Sequence, residues 1–110
     1  MENNNTRLVG MLGFAMRAGK VIIGTDAVFL GMRKRRVRIV LVATDASDAT
    51  KRRAGYKCEF YKLPVYDVGI DGGELGRLLG KTYAPALIAI TDDGFAKEIQ
   101  RAVAPDGDEQ

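Results

Sequence analysis

Residues 39–43 read Ile-Val-Leu-Val-Ala, and the polar stretch Thr44-Asp45-Ala46-Ser47 follows at once. This short apolar run, β-branched on both faces and bounded by a turn, predicts a strand buried on both sides. Working outward, Ser47 can cap a helix over about 48–61, with a kink or break expected at Gly55. Pro64 starts a strand over Val65–Val68, and Gly69-Ile-Asp-Gly-Gly73 reads as a turn. Asp71 or a nearby glycine leads a short helix through Leu75, Leu78 and Leu79. Ala86–Thr91 is a further strand, and Asp92-Asp93 begins a last helix holding Phe95, Ile99 and Val103. Acids in its first turn and Arg101 in its last suit the helix dipole.

Toward the N-terminus, Thr6 is the expected cap of a helix through Leu8, Val9, Leu12, Ala15 and Met16, stopped by Gly19. Lys20–Ile23 reads as a short strand. Gly24-Thr25 then opens a second helix with Thr25 as cap, carrying Val28, Phe29 and Met32 and ending near Arg35. Helices alternate with strands throughout, and strands so separated share a sheet covered on both faces. The predicted fold is α/β, a three-layer α/β/α sandwich. It forms one domain over 1–110, with a folded core at 6–103 and a frayed acidic tail at 104–110.

Composition narrows the function. Leu, Ile, Val and Phe account for 29 of 110 residues, enough for a folded core without disulfides or metal. The single Cys58 leaves no intramolecular disulfide or cysteine-built zinc cluster, and fits a reducing cytoplasm. Flanked by Tyr56, Phe60 and Tyr61, it reads as a small buried hydrophobe. No segment approaches the ~18 unbroken apolar residues of a membrane span, and MENNNTR lacks a signal-peptide layout. Histidine is absent, which removes Ser-His-Asp and Cys-His nucleophilic sites, His-ligated zinc and the usual neutral-pH base. No catalytic residue, metal or cofactor is expected.

The net charge of +3 conceals a strong asymmetry: residues 1–62 carry 13 Lys/Arg against 5 Asp/Glu, and residues 63–110 carry 4 against 9. The densest feature is Arg33-Lys34-Arg35-Arg36-Val37-Arg38, five cations in six residues, and Lys51-Arg52-Arg53 adds three more. Such clusters often form no more than a solvated face, and cations suit a helix C-terminus. With few local acids, however, they repel one another, and a polyanion relieves that repulsion while releasing counterions. The few neighbouring aromatics favour contacts to the backbone and shape of folded RNA over single-strand stacking. Gly76…Gly80-Lys81-Thr82 imitates a phosphate-binding loop, but has three residues between its glycines where that motif needs four. Asp92-Asp93 is accounted for as a helix start.

Leu12-Gly-Phe-Ala-Met-Arg17-Ala-Gly-Lys20, Gly24-Thr25, the strand 39–43 with Thr44–Ser47, and Leu75-Gly76-Arg77-Leu-Leu-Gly80 resemble the bacterial YlxQ-type proteins. These belong to the Pelota-type RNA-binding superfamily, which includes kink-turn-binding large-subunit ribosomal proteins. The resemblance covers about residues 6–103. It implies the same three-layer sandwich, with a four-stranded mixed sheet, and RNA binding without catalysis. It points to the loop before the second helix and that helix itself, here Gly24, Thr25, Asp26, Leu30 and Arg33, to which the basic run adds Lys34. It also points to the loop after the fourth helix, Lys81-Thr82-Tyr83-Ala84, and to Lys20; Arg17, which flanks the first loop with Lys20, joins them from the charge pattern. A helix start suits phosphate through its free N–H groups. Kink-turn binders usually show Gly-x-Asn-Glu-x-x-Lys, where this chain has Asp26, Ala27 and Leu30. An ionised Asp26 repels phosphate and Leu30 offers no charge, so RNA binding fits these residues better than kink-turn specificity does. The expected partners are structured RNA, in the first place ribosomal, and ribosome-associated proteins. The alternative is a protein-interaction module docking on a translation or stress factor.

Overall fold

The structure is a computed structural model that describes residues 4–104. Its elements alternate as the sequence predicts: α1 (Asn4–Arg17), β1 (Val21–Ile23), α2 (Thr25–Arg33), β2 (Ile39–Val42), α3 (Asp48–Tyr61), β3 (Val65–Asp67), α4 (Gly72–Leu78), β4 (Leu87–Ile90) and α5 (Asp93–Val103). The four strands form one mixed sheet in the order β1-β4-β2-β3. β4 pairs antiparallel with both β1 and β2, and β2 pairs parallel with β3.

Strand alternation sorts the side chains into two cores. Ile39 pairs with Ile90 and Leu41 with Ile88, and these four pack on one face with Leu8, Leu12, Leu75, Leu79 and Ile99 from α1, the α4 region and α5. Val40 pairs with Ala89 and Val42 with Leu87, and these pack on the other face with Val28, Phe29 and Met32 of α2 and Ala54 and Cys58 of α3. Every residue of β2 and β4 is buried, as the apolar run at 39–43 requires. Cys58 is buried in the second core, and desolvation pushes its thiol up to about 11, so it stays protonated near neutral pH. No helix among the described residues is long and apolar enough to cross a membrane.

The structure corrects several local expectations. α1 already includes Asn4, so Thr6 lies within the helix rather than at its cap. The cap of α2 is Gly24, not Thr25. At φ 108° its backbone lies where glycine alone is comfortable, and its N–H donates to the Leu87 carbonyl at 2.9 Å. α2 ends at Arg33, two residues before the expected Arg35. α3 runs through Gly55 without a break, carried by Ala54 and Cys58 one turn apart against the sheet. Gly72 and Gly73 belong to the first turn of α4 rather than to a turn before it, after Asp71 caps the helix through Glu74 N–H at 2.8 Å. The tail beyond Ala104 lies outside the described residues.

Candidate nucleic-acid interface

Strand direction divides the expected site residues between two ends of the sheet. At one end lie Gly24, held to Leu87 at the start of β4, and the 81–86 segment that leads into β4. The Ala43 N–H donates to the Ala86 carbonyl at 2.8 Å, which brings the β2–α3 loop to the same end. Gly24, Thr25, Asp26 and Lys81–Ala84 are therefore gathered at this end. The start of α2 has no side-chain cap, and its first intrahelical bond runs from Val28 N–H to the Gly24 carbonyl. The N–H groups of the preceding turn thus face out of the helix end.

Two glycines of α4 position the 81–84 loop. A Cβ on Gly76 would lie 2.0 Å from the Tyr83 carbonyl oxygen, and one on Gly72 would lie 3.0 Å from that of Pro85. The loop backbone therefore rests directly on the helix, with no room for a Cβ at Gly76 and little at Gly72, and it presents Tyr83 54% exposed. At the end of α4, Gly80 adopts φ 79° while the Lys81 N–H donates to the Gly76 carbonyl at 2.8 Å. Gly80-Lys81-Thr82 closes a helix, which disposes of the phosphate-loop imitation.

At the opposite end of the sheet lie Arg17, Lys20 and the basic run. The Thr91 N–H donates to the Lys20 carbonyl at 2.9 Å, and the Arg38 N–H donates to the Ile90 carbonyl at 2.8 Å. Arg17 and Lys20 are thus separated from Gly24 and Lys81 by the length of β4. α2 connects the two ends. Asp26, Leu30, Arg33 and Lys34 are exposed along it, Leu30 to 42%, a stripe about 13 Å long.

Beside this stripe the structure places a seam that sequence reasoning missed. α2 and α3 lie on the same face of the sheet and both run away from the Gly24 end. The Arg53 guanidinium and the Lys57 ammonium each sit 5.0 Å from the Phe29 ring centroid. Arg35 sits 5.3 Å from the ring of Tyr61. The available signal was Lys57 one turn after Arg53, but nothing in the sequence aligned α3 with Phe29. Residues 33–62 hold ten Lys/Arg against three Asp/Glu. Among the described residues, the only one of these ten cations in an ion pair is Arg38, 3.0 Å from Asp93. The remaining pairs, Arg7 and Arg101 with Glu98 and Arg77 with Glu74, lie on α1, α4 and α5. One outer layer is thus charge-balanced and the other is cationic with few local counterions.

This sandwich, with a glycine-capped second helix beside the loop entering β4, defines a class of ribosomal-protein-like domains. Residues 6–100 match the ribosomal protein L7Ae/L30e/S12e/Gadd45 family, and the chain belongs to that family. It is 40% identical over 89 residues to the RNA-binding protein YlxQ of Bacillus subtilis, covering 81% of this chain and 87% of that one. It is 32% identical over 102 residues to the RNA-binding protein YlxQ of Enterococcus faecium, covering 93% and 96%. A solved structure of a protein with unknown function from Bacillus halodurans C superposes with a TM-score of 0.81 at 30% identity, covering 86% of this chain and 94% of that one.

Proposed function

We propose that this protein is a non-catalytic, cytoplasmic RNA-binding protein that holds structured, ribosomal-type RNA against α2. The start of the helix and the 81–84 loop take one side of the RNA, and Arg33, Lys34, Arg35, Arg36 and Arg38 anchor phosphates on the other. Arg17 and Lys20 extend the basic end. The observation that carries this reading is the cationic layer with few ion-paired partners, running from the glycine-capped start of α2 to its basic end. A phosphate backbone supplies the missing counter-charge, and counterion release drives its binding. The names of the YlxQ relatives support the same reading, as does the lack of any histidine for acid–base chemistry. With Asp26 and Leu30 on the contact stripe, shape and phosphate contacts outweigh a kink-turn base code.

Titration against a kink-turn stem, a matched duplex and an acidic polypeptide at several salt concentrations tests this. Binding to the RNAs is expected to weaken steeply with salt and to exceed binding to the polypeptide. Reversing Arg33, Lys34, Arg35 and Arg36 to Glu is expected to cut the log–log salt slope by several units, about one for each phosphate no longer neutralised. Salt-independent affinity, or equal affinity for the polypeptide, overturns the proposal.

A further inference from the structure

α3 reverses the arrangement expected of a surface helix. It buries the small side chains of Ala54 and Cys58 and turns Tyr56 and Phe60 outward, 68% and 75% exposed. These two rings stand one helical turn apart, in a stripe that begins with Arg52. Arg53 and Lys57 border the stripe on the side toward α2, where they sit over Phe29. The cations of α3 are Lys51, Arg52, Arg53 and Lys57, against Asp48 and Glu59. Phe60 also meets Tyr61 edge to face at 4.9 Å. Beside Tyr61, between the ends of α2 and α3, lies a cleft of about 180 Å³ lined by Met32, Arg35, Val37, Arg38, Tyr61 and Leu63. Its lining combines apolar and aromatic residues with Arg35 and Arg38.

The aromatics near the cations are few, but Tyr56 and Phe60 are both exposed. Contrary to the expectation from sequence, this face meets the two needs of a single nucleic-acid strand, a stacking surface for bases and counter-charge for phosphates. A purely apolar protein partner would cover the rings but leave the adjoining cations without partners. We infer that the outer face of α3 binds a single-stranded RNA segment, stacking successive bases on Tyr56 and Phe60 while its backbone follows Arg53, Lys57 and Arg35. The inference rests on the RNA-binding reading above, in that the strand is an unpaired flank of the structured RNA held by α2. The cleft beside Tyr61 receives the next base, with Arg35 near its phosphate.

The experiment compares a blunt kink-turn hairpin, the same hairpin with an oligouridine extension at either end, and free oligouridine. The proteins are wild type, Tyr56→Ala, Phe60→Ala and Tyr56→Trp. The extension is expected to tighten wild-type binding. Each alanine should weaken binding of the extended hairpin on the order of tenfold and leave the blunt hairpin unchanged, while Tyr56→Trp retains the gain. An extension that adds no affinity, or alanine variants that weaken both hairpins equally, overturns the inference and leaves the rings to another occupant such as a protein. Binding of free and extended strands through Tyr56 and Phe60, without binding of the blunt hairpin, supports the α3 site while refuting the structured-RNA reading. No binding of any RNA removes both.

Discussion

Four helices end in the same way at the level of single residues, and the residues chosen for those ends differ by layer. Gly19 ends α1 at φ 73° and Gly80 ends α4 at φ 79°; Arg35 and Lys62 occupy the equivalent left-handed position after α2 and α3, at φ 59° and 60°. The bonding is common to all four. After α2, the Arg36 N–H donates to Gly31 and the Arg35 N–H to Met32; after α3, the Leu63 N–H donates to Cys58. Glycine is the ordinary occupant because a Cβ strains this conformation by about 1 kcal/mol or more. Only the two helices of the cationic layer carry a charged side chain there, which fits a stability cost accepted for binding. Arg35→Gly is therefore expected to stabilise the fold by roughly 0.5–1 kcal/mol in urea denaturation, after allowing for the guanidinium no longer resting on the Tyr61 ring. The same variant should bind structured RNA more weakly, with a salt slope reduced by about one. A destabilised variant with unaltered RNA affinity would contradict both halves of the argument.

The order of secondary-structure elements is readable because each local signal agrees with the next. The apolar run at 39–43 becomes β2, Ser47 caps α3 through Thr50 N–H at 3.1 Å, and Asp92 caps α5 through Phe95 N–H at 2.9 Å. Gly55 misleads because a mid-helix glycine costs only about 1 kcal/mol, less than the packing of Ala54 and Cys58 returns. The cap of α2 misleads for a related reason. Thr25 has the usual chemistry of a cap, but Gly24 has the backbone freedom that the tie to Leu87 demands. Sheet order is not readable, since nothing local to β1 announces its pairing with β4, and that pairing decides which loops share an end. Gly55 also yields a prediction for α3. Its φ is not positive, and a Cβ there would meet nothing within 4 Å, so Gly55→Ala should stabilise the protein by about 0.5–1 kcal/mol. Thermal and urea unfolding measure this directly, and a loss of stability would mean that the helix needs to bend at that point.

For the whole molecule, strand order turns one set of candidate residues into an interface with two ends. Lys81 lies with Gly24 at one end, and Lys34 lies with the basic run at the other, joined by the α2 stripe of about 13 Å. The resemblance named residues from both ends, and the pairing of β4 with β1 and β2 places Lys81 at the Gly24 end, away from the basic run. Separation of this size makes charge reversals independent unless the same RNA conformation depends on both ends. If one RNA spans the stripe, Lys81→Glu and Lys34→Glu should each weaken binding and each reduce the salt slope by at least about one. Their free-energy effects should then add within about 0.5 kcal/mol in the double variant. The four proteins, titrated with one structured RNA at several salt concentrations, give the complete cycle. Loss of affinity from Lys34→Glu alone would confine the RNA to the basic end and release the 81–84 loop from the interface. Loss from Lys81→Glu alone would leave the five cations at 33–38 as a solvated face. Additive losses are the result a bridging RNA requires, because neither end alone can produce them.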